Sequence, residues 1–443
     1  MSDLVLGIDV GTSGVRIAAV DVEEHVVAFV KVAMPAPERQ GSRVVQDAAV
    51  WNQALRVAMQ RMGAAIDLGR VAALAVDGTS GTLVSVGAGG TPAAAASLYN
   101  DRAEADDIAI VASFAPDESA AHGATSPLAR ALRMTREGAT RIVHQADWIA
   151  GWFSGRFDIS DENNALKTGY DPVKRVWPGW IADTGLDLDV LPKVSPAGTQ
   201  SGKVTSQAAE AFGLRKGVMV VTGTTDGCAA FLATGAAKSG DGVTSLGTTL
   251  VLKLLCEHPI FSPHYGIYSH RIGDMWLAGG ASNSGGAALA KYFSPDAIDA
   301  LSRRMQPLLP TTLAYYPLPA VGERFPINDP HLAPQCEPRP ADDVQFLQGL
   351  FEGIAWSTDQ VFAQTLAQAE ALGLSVVQLP TWYDVDDEET LQVLIHEVLE
   401  GKPFRAVGTP TPAMWTRRHL STLIDESRLQ ERIRGSRAAG GLP

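Results

Sequence analysis

The sequence predicts a two-domain α/β protein built from two similar halves. Two stretches carry that prediction. Leu4–Met34 reads as three short strands joined by turns, and Val243–Leu255 repeats its grammar far along the chain. In the first, apolar Leu4–Asp9 ends in a carboxylate and Gly11-Thr12-Ser13-Gly14 turns the chain. Val15–Asp21 returns, and Glu23-Glu24-His25 turns again before Val26–Val32. Alternating β-branched residues bounded by glycine and acidic punctuation make a hairpin meander. In the second, a strand runs into Gly247-Thr248-Thr249 and an apolar strand follows. Each stretch heads a long α/β segment, which predicts duplication, with a nucleotide clamped between the halves.

The two turns suit phosphate. Glycine lets backbone N–H groups approach a ligand closely, and Thr12, Ser13, Thr248 and Thr249 add hydroxyl donors. Asp9 beside the first turn would repel a phosphate unless a cation lay between them, so the pairing points to Mg²⁺ with Asp9 as its ligand. The plainer alternative is a glycine-rich hairpin in which Asp9 only ends a strand.

Length and composition fit this architecture. At 443 residues the chain can build two domains, and 46% hydrophobic with 19% charged residues is ordinary globular usage. A net charge of −13 argues against a nucleic-acid or anionic-membrane surface. The three cysteines, Cys228, Cys256 and Cys336, are widely spaced, which fits a reducing cytoplasm better than a disulfide framework. The first residues lack a basic and then apolar leader pattern, and no apolar run approaches membrane-spanning length, so a soluble cytoplasmic protein is expected.

After a Pro/Gly loop at Pro35–Arg43, Asp47–Met62 has helical spacing with Trp51, Leu55, Ala58 and Met62 on one side. Val71–Val76 is a buried strand leading into Asp77-Gly78-Thr79-Ser80-Gly81. The carboxyl end of a strand is where α/β sheets bind ligands. Ser80 can donate and accept there, as a polyol requires, or simply bond its own turn. Leu83–Val86 and Pro92–Leu98 read as a hairpin placing Asn100, Asp101 and Arg102 at a strand end. Pro127–Met134 and Arg141–Trp152 read as helices, with Trp148 and Trp152 as core residues, and His122 and His144 show no ligand spacing.

Val218–Gly227 delivers Asp226 to a sharp strand-to-helix turn. Phosphoryl transfer to an alcohol needs a base at the hydroxyl, and a carboxylate at such a turn suits that role. A helix N-cap is the competing reading of Asp226. Met275–Leu277 is a strand followed by Gly279-Gly280-Ala281-Ser282-Asn283, and Asp342–Leu372 is a long amphipathic helix with Phe346, Leu350 and Ile354 among its apolar residues.

Four ordered segments carry a family resemblance: Asp9-Val10-Gly11-Thr12-Ser13, Gly223-Thr224-Thr225-Asp226, Ser245–Thr249 and Gly279–Asn283. The chain resembles the FGGY carbohydrate kinases, with their actin-like, ribonuclease H-like fold. Within them it is similar to the D-ribulose kinase group of cyanobacteria and plants, through AVDGTSGT at Ala75–Thr82, QADW at Gln145–Trp148, NALKTGY at Asn164–Tyr170 and YYPLPAVGERFPI at Tyr315–Ile327. The resemblance covers about residues 3–370. It implies kinase domains at 1–227 and 228–372 and ATP-dependent phosphorylation of a ketopentose. Asp226 would be the base and Asp9 the Mg²⁺ ligand. Ser80, Asn100 and Asp101 would meet the sugar with Asp226. Gly11, Thr12, Ser13, Gly247, Thr248, Thr249, Gly279, Gly280 and Asn283 would meet ATP. Other classes left open are a non-catalytic sugar-binding protein and an actin-like ATPase without a sugar substrate. From Gly373 the family's adenine-facing Gly-Gly-Gly/Ala loop is replaced by GLSVVQLPTWYDVD, which resembles the tail of a GT-A-like glycosyltransferase. Residues 373–443 therefore read as a divergent or fused segment. Asp384, Asp386, Asp387, Glu388 and Glu389 read as acidic residues opening a helix.

Overall fold

The computed structural model describes residues 3–306, 309 and 311–354. All of them belong to one compact unit, Met1–Val377. The expectations for 355–372, for the departure at Gly373 and for the acidic run at 384–389 lie outside the described residues.

The opening meander forms one flank of a six-stranded sheet, in the order Gln200–Lys203, Met219–Val221, Val71–Gly78, Leu4–Val10, Gly14–Val20, Val26–Ala33. Leu4–Val10, Val71–Gly78 and Met219–Val221 run parallel, so their carboxyl ends share one edge of the sheet. A parallel bridge from Gly78 to Thr225 carries that edge on to the residue before Asp226. The hydrophobic alternation of Leu6, Ile8, Val10, Val15 and Ile17 faces the helix Ala48–Ala65. Trp51, Leu55, Ala58 and Met62, the stripe expected from spacing, are fully buried there. Each such large side chain contributes about 1.5–3 kcal/mol on burial. Asp47 starts this helix by accepting from the Ala49 N–H at 2.8 Å.

Arg141–Trp152 is not one helix. Ile142–His144 is a strand paired with Leu83–Ser85, and the helix is Gln145–Ser154. The Asp147 carboxylate accepts from the His144 N–H at 3.0 Å, which fixes the helix start behind the β-branched pair Ile142-Val143. His144 is buried among Asp147, Ser160 and Thr168 and is structural. Trp148 packs edge-on between Trp51 and Trp152 in the core, as expected.

The second sheet has four antiparallel strands in the order Gly242–Leu246, Leu250–Cys256, Met275–Ser282, Tyr268–Ile272. A helix beginning at 343 lays Phe346, Leu347, Leu350 and Ile354 into a core with Leu250, Phe293 and Tyr315. The strand expected at Met275–Leu277 continues to Ser282, so Gly279 and Gly280 lie inside the sheet and not in a loop. Gly280 is needed because a Cβ there would stand 2.7 Å from the Phe325 ring. Among the described residues no helix is long and apolar enough to cross a membrane.

Candidate active site

Three carboxylates meet at the carboxyl edge of the first sheet. Asp9 and Asp77 are direct register partners on adjacent parallel strands. Asp226 is the first residue of the helix Asp226–Leu232, one step beyond the Gly78–Thr225 bridge. The helix cap is Thr225, whose hydroxyl accepts from the Cys228 N–H, so Asp226 is not the cap. Its carboxylate accepts from the Gly227 N–H at 2.7 Å. Burial raises the Asp226 pKa and Asp9 adds to this, while the Gly227 N–H, Lys167 and Lys253 pull it back.

Asp77 is the most perturbed of the three. Burial, followed by the charges of Asp9 and Asp226, pushes it up to about 8. Its Oδ1 is buried with no hydrogen-bond partner. Asp9 is partly relieved by Arg16, its cross-strand neighbour, at 2.7 Å. Crowded carboxylates with an orphaned oxygen fit a hard divalent cation, which would favour the ionised form of each. Asp9 and Asp77 are the residues placed to hold it.

Two lysines and a histidine from three other elements gather near Asp226. Lys253, on Leu250–Cys256, donates to the Gly227 carbonyl, and burial lowers its pKa. His270, on Tyr268–Ile272, has a buried Nε2 with no partner. Burial, then Lys167 and Lys253, holds its pKa down to about 3, so the ring is neutral. Lys167 follows the short helix Glu162–Leu166, and its ammonium lies 5.8 Å from the centre of the Tyr268 ring. Asn163 and Asn164 fix this segment. Asn163 Nδ2 donates to Thr224 Oγ1 at 3.0 Å and to the Arg271 carbonyl at 2.9 Å, and its Oδ1 accepts from the Arg271 N–H at 2.9 Å. Asn164 donates to the Thr224 carbonyl at 3.0 Å.

Ser80 and Asn100 both keep a buried oxygen without a protein partner, Ser80 Oγ and Asn100 Oδ1. The turns that carry them are tied together: the Tyr99 N–H donates to Thr82 Oγ1, while buried Arg130 donates to the carbonyls of Gly81, Ser97 and Leu98. Asp101 differs. It is fully buried and accepts from the Val44 N–H, the Ser97 hydroxyl and the Arg133 guanidinium at 3.0, 2.6 and 2.8 Å. Both of its oxygens are engaged within the fold, whereas Ser80 and Asn100 each keep one free.

The first Gly/Thr turn closes through the Gly11 N–H to the Gly14 carbonyl, and no protein hydrogen bond engages the Thr12 or Ser13 hydroxyls among the described residues. In the second, the carbonyls of Gly247 and Thr248 accept from the N–H groups of Gly286 and Ala287. Gly285 permits that contact, since a Cβ on it would meet Thr249 Cα at 2.7 Å. Asn283 is engaged with the 322–325 loop: its N–H donates to buried Glu323 and its Nδ2 to the Gly322 carbonyl. Gly280 and Asn283 thus pack the second sheet against this loop, while Gly279 lies inside the sheet against Leu252 and Lys253.

Asp77, Lys167, Lys253 and His270 were missed from the sequence. A signal for Asp77 was present, since Val76-Asp77-Gly78-Thr79-Ser80 repeats the pattern Ile8-Asp9 followed by Gly11-Thr12-Ser13. The basic residues carry no local signature. A carboxylate with a raised pKa beside open hydroxyl-binding groups, cations and a divalent-ion site has the parts needed to move a proton from an alcohol and stabilise phosphoryl charge.

The fold is that of the two-domain, actin-like sugar kinases. A xylulose kinase from Brucella ovis superposes with a TM-score of 0.71 at 21% identity, over 85% of this chain and 80% of its own. A glycerol kinase from Plasmodium falciparum with ADP superposes with a TM-score of 0.70 at 13% identity, over 85% and 81%. Residues 128–233 match the N-terminal domain of the FGGY family of carbohydrate kinases. An autoinducer-2 kinase from Yersinia pestis is 35% identical over 121 residues, 27% of this chain and 23% of the relative. The aligned stretch thus spans about a quarter of that curated relative.

Proposed function

We propose that the protein is an FGGY-type carbohydrate kinase that transfers the γ-phosphoryl group of ATP to a hydroxyl of a ketopentose, with D-ribulose the preferred acceptor. The observation that carries this reading is Asp226: a carboxylate open to solvent at the carboxyl edge of the parallel strands, freed from capping by Thr225, with its pKa raised and the charges of Asp9 and Asp77 close to it. Asp226 accepts the acceptor proton. Ser80 and Asn100 complete their hydrogen bonding on the sugar hydroxyls. Gly11–Ser13 and Gly247–Thr249 hold the phosphates, and Asp9 and Asp77 hold Mg²⁺, which neutralises phosphate charge when bound. The D-ribulose preference rests on the segments Ala75–Thr82 and Asn164–Tyr170.

The purified full-length chain with ATP, Mg²⁺ and a panel of D-ribulose, xyluloses, gluconate, glycerol and autoinducer-2 tests the reading. ADP release stimulated most by D-ribulose is expected. Stimulation by another polyol would replace the substrate, and ATP hydrolysis that none stimulates would overturn the kinase reading.

A further inference from the structure

The proposed reaction needs a side-chain cation on the moving phosphoryl group, and the residues assigned so far supply none. Backbone amides of the two turns and the metal face the phosphates. Lys253 is held by the Gly227 carbonyl, and Arg16 is paired with Asp9. Lys167 is different: no carboxylate lies within ion-pair distance of it among the described residues.

Packing on two sides fixes its position. The Lys167 stem crosses the turn beside Ser80, with Cδ 3.9 Å from where a Cβ on Gly81 would sit. Its ammonium lies over the Tyr268 ring. Its charge is felt at Asp226, at His270 and at Lys253, so it stands within the ring of groups around the base. The helix that carries it is bonded through Asn163 and Asn164 to Thr224, two residues before Asp226. A cation held unpaired in a partly dehydrated site, between the acceptor side and the base, awaits an anion that arrives with the substrate.

We propose that Lys167 is a catalytic residue that donates an N–H to an equatorial oxygen of the phosphoryl group as it passes to the acceptor. The inference rests on the kinase reading above. In this step the bond from the γ-phosphorus to the β,γ-bridging oxygen breaks and its electron pair leaves with ADP. The acceptor oxygen forms the new P–O bond, and its proton goes to Asp226. Lys167 keeps its proton throughout.

The test compares full-length wild type, K167M, K167Q and K167R with D-ribulose, ATP and Mg²⁺. It also measures the affinity of each for ADP with aluminium fluoride in the presence of the sugar, a mimic of the transferring group. Loss of the cation should lower kcat on the order of 10²-fold, with sugar KM changed less than about threefold. K167M and K167Q should lose the aluminium fluoride complex while still binding ATP, and K167R should recover part of both. Should K167M fail to fold, K167Q carries the same comparison. A kcat for K167Q within threefold of wild type, or a rise in sugar KM with kcat intact, would overturn the assignment and leave the kinase reading standing. Wild type that turns over no sugar would overturn the kinase reading and this clamp with it.

Discussion

Asp77→Asn should stabilise the metal-free protein while impairing its use of Mg²⁺. The carboxyl of Asp77 ionises at 3.8 in a free chain and at about 8 in the fold, chiefly through burial and then the charges of Asp9 and Asp226. Because the folded value is the higher one, the fold favours the protonated acid. No cost is paid below the free value; it grows as pH rises and levels off above the folded value. Each pH unit inside that window costs about 1.4 kcal/mol. At neutral pH the interval from the free value is about three units, giving an upper figure of about 4 kcal/mol. Relaxation of the site and entry of water reduce this, so a penalty on the order of 2–4 kcal/mol is expected. An asparagine keeps the shape and cannot ionise. Denaturant unfolding without divalent ions should therefore find the variant more stable than wild type at pH 8, by a margin that widens by about 1.5–3 kcal/mol between pH 5.5 and 8. Added Mg²⁺ should raise the wild-type midpoint and leave the variant nearly unmoved. A margin that does not depend on pH, or equal responses to Mg²⁺, would refute the clustering of these carboxylates as the cause.

Asp226→Asn is expected to cut kcat roughly 10²-fold or more with sugar binding nearly unchanged, and a variant with near-normal kcat would remove Asp226 from the base role. Ser80→Ala should weaken sugar binding by about 1 kcal/mol, measured by calorimetry, with ATP affinity unaffected. Asp101→Ala should act on the fold instead: it strips buried Arg133 of its nearer carboxylate, leaving only half-exposed Glu137 at 3.8 Å, and should cost about 3 kcal/mol of unfolding free energy, while a soluble fraction keeps wild-type sugar affinity.

Much of the site was legible because its parts are local. Asp9 ends an apolar strand just before a glycine turn and Asp226 follows an apolar strand and Gly223, and one-dimensional spacing suffices to mark both. The stripe Trp51, Leu55, Ala58, Met62 was likewise readable, because a helix buries one face at a fixed period. What escaped depends on partners distant in the chain. Asn100 and Asp101 look alike as loop residues, yet Arg133 and Val44 claim only the second. Gly280 reads as a ligand-approach glycine, and Phe325, 45 residues on, supplies the actual reason for it. Lys253 and His270 sit on strands with no motif, and only the packing of the second sheet brings the Lys253 charge to Asp226 and to the neutral His270 ring.

The three hydrogen bonds of Asn163 also mark where a hinge between the two sheets would sit. One amide side chain is shared by the turn before Asp226 and by the strand that carries His270. Any swing of the second sheet away from the first must either break these bonds together or rotate about them, and rotation is the cheaper course. Asn163 is then a fulcrum. Displacement would be small beside it and grow along the lever arm, so Asp226 and His270 would keep their spacing. The turn Gly247–Thr249, which no hydrogen bond among the described residues ties to the first sheet, can travel. In the proposed reaction the acceptor side would stay assembled while the donor side opened to exchange its nucleotide. Hydrogen exchange should follow that division, slow at the Arg271 N–H and faster at Thr248, and Asn163→Ala should erase the difference.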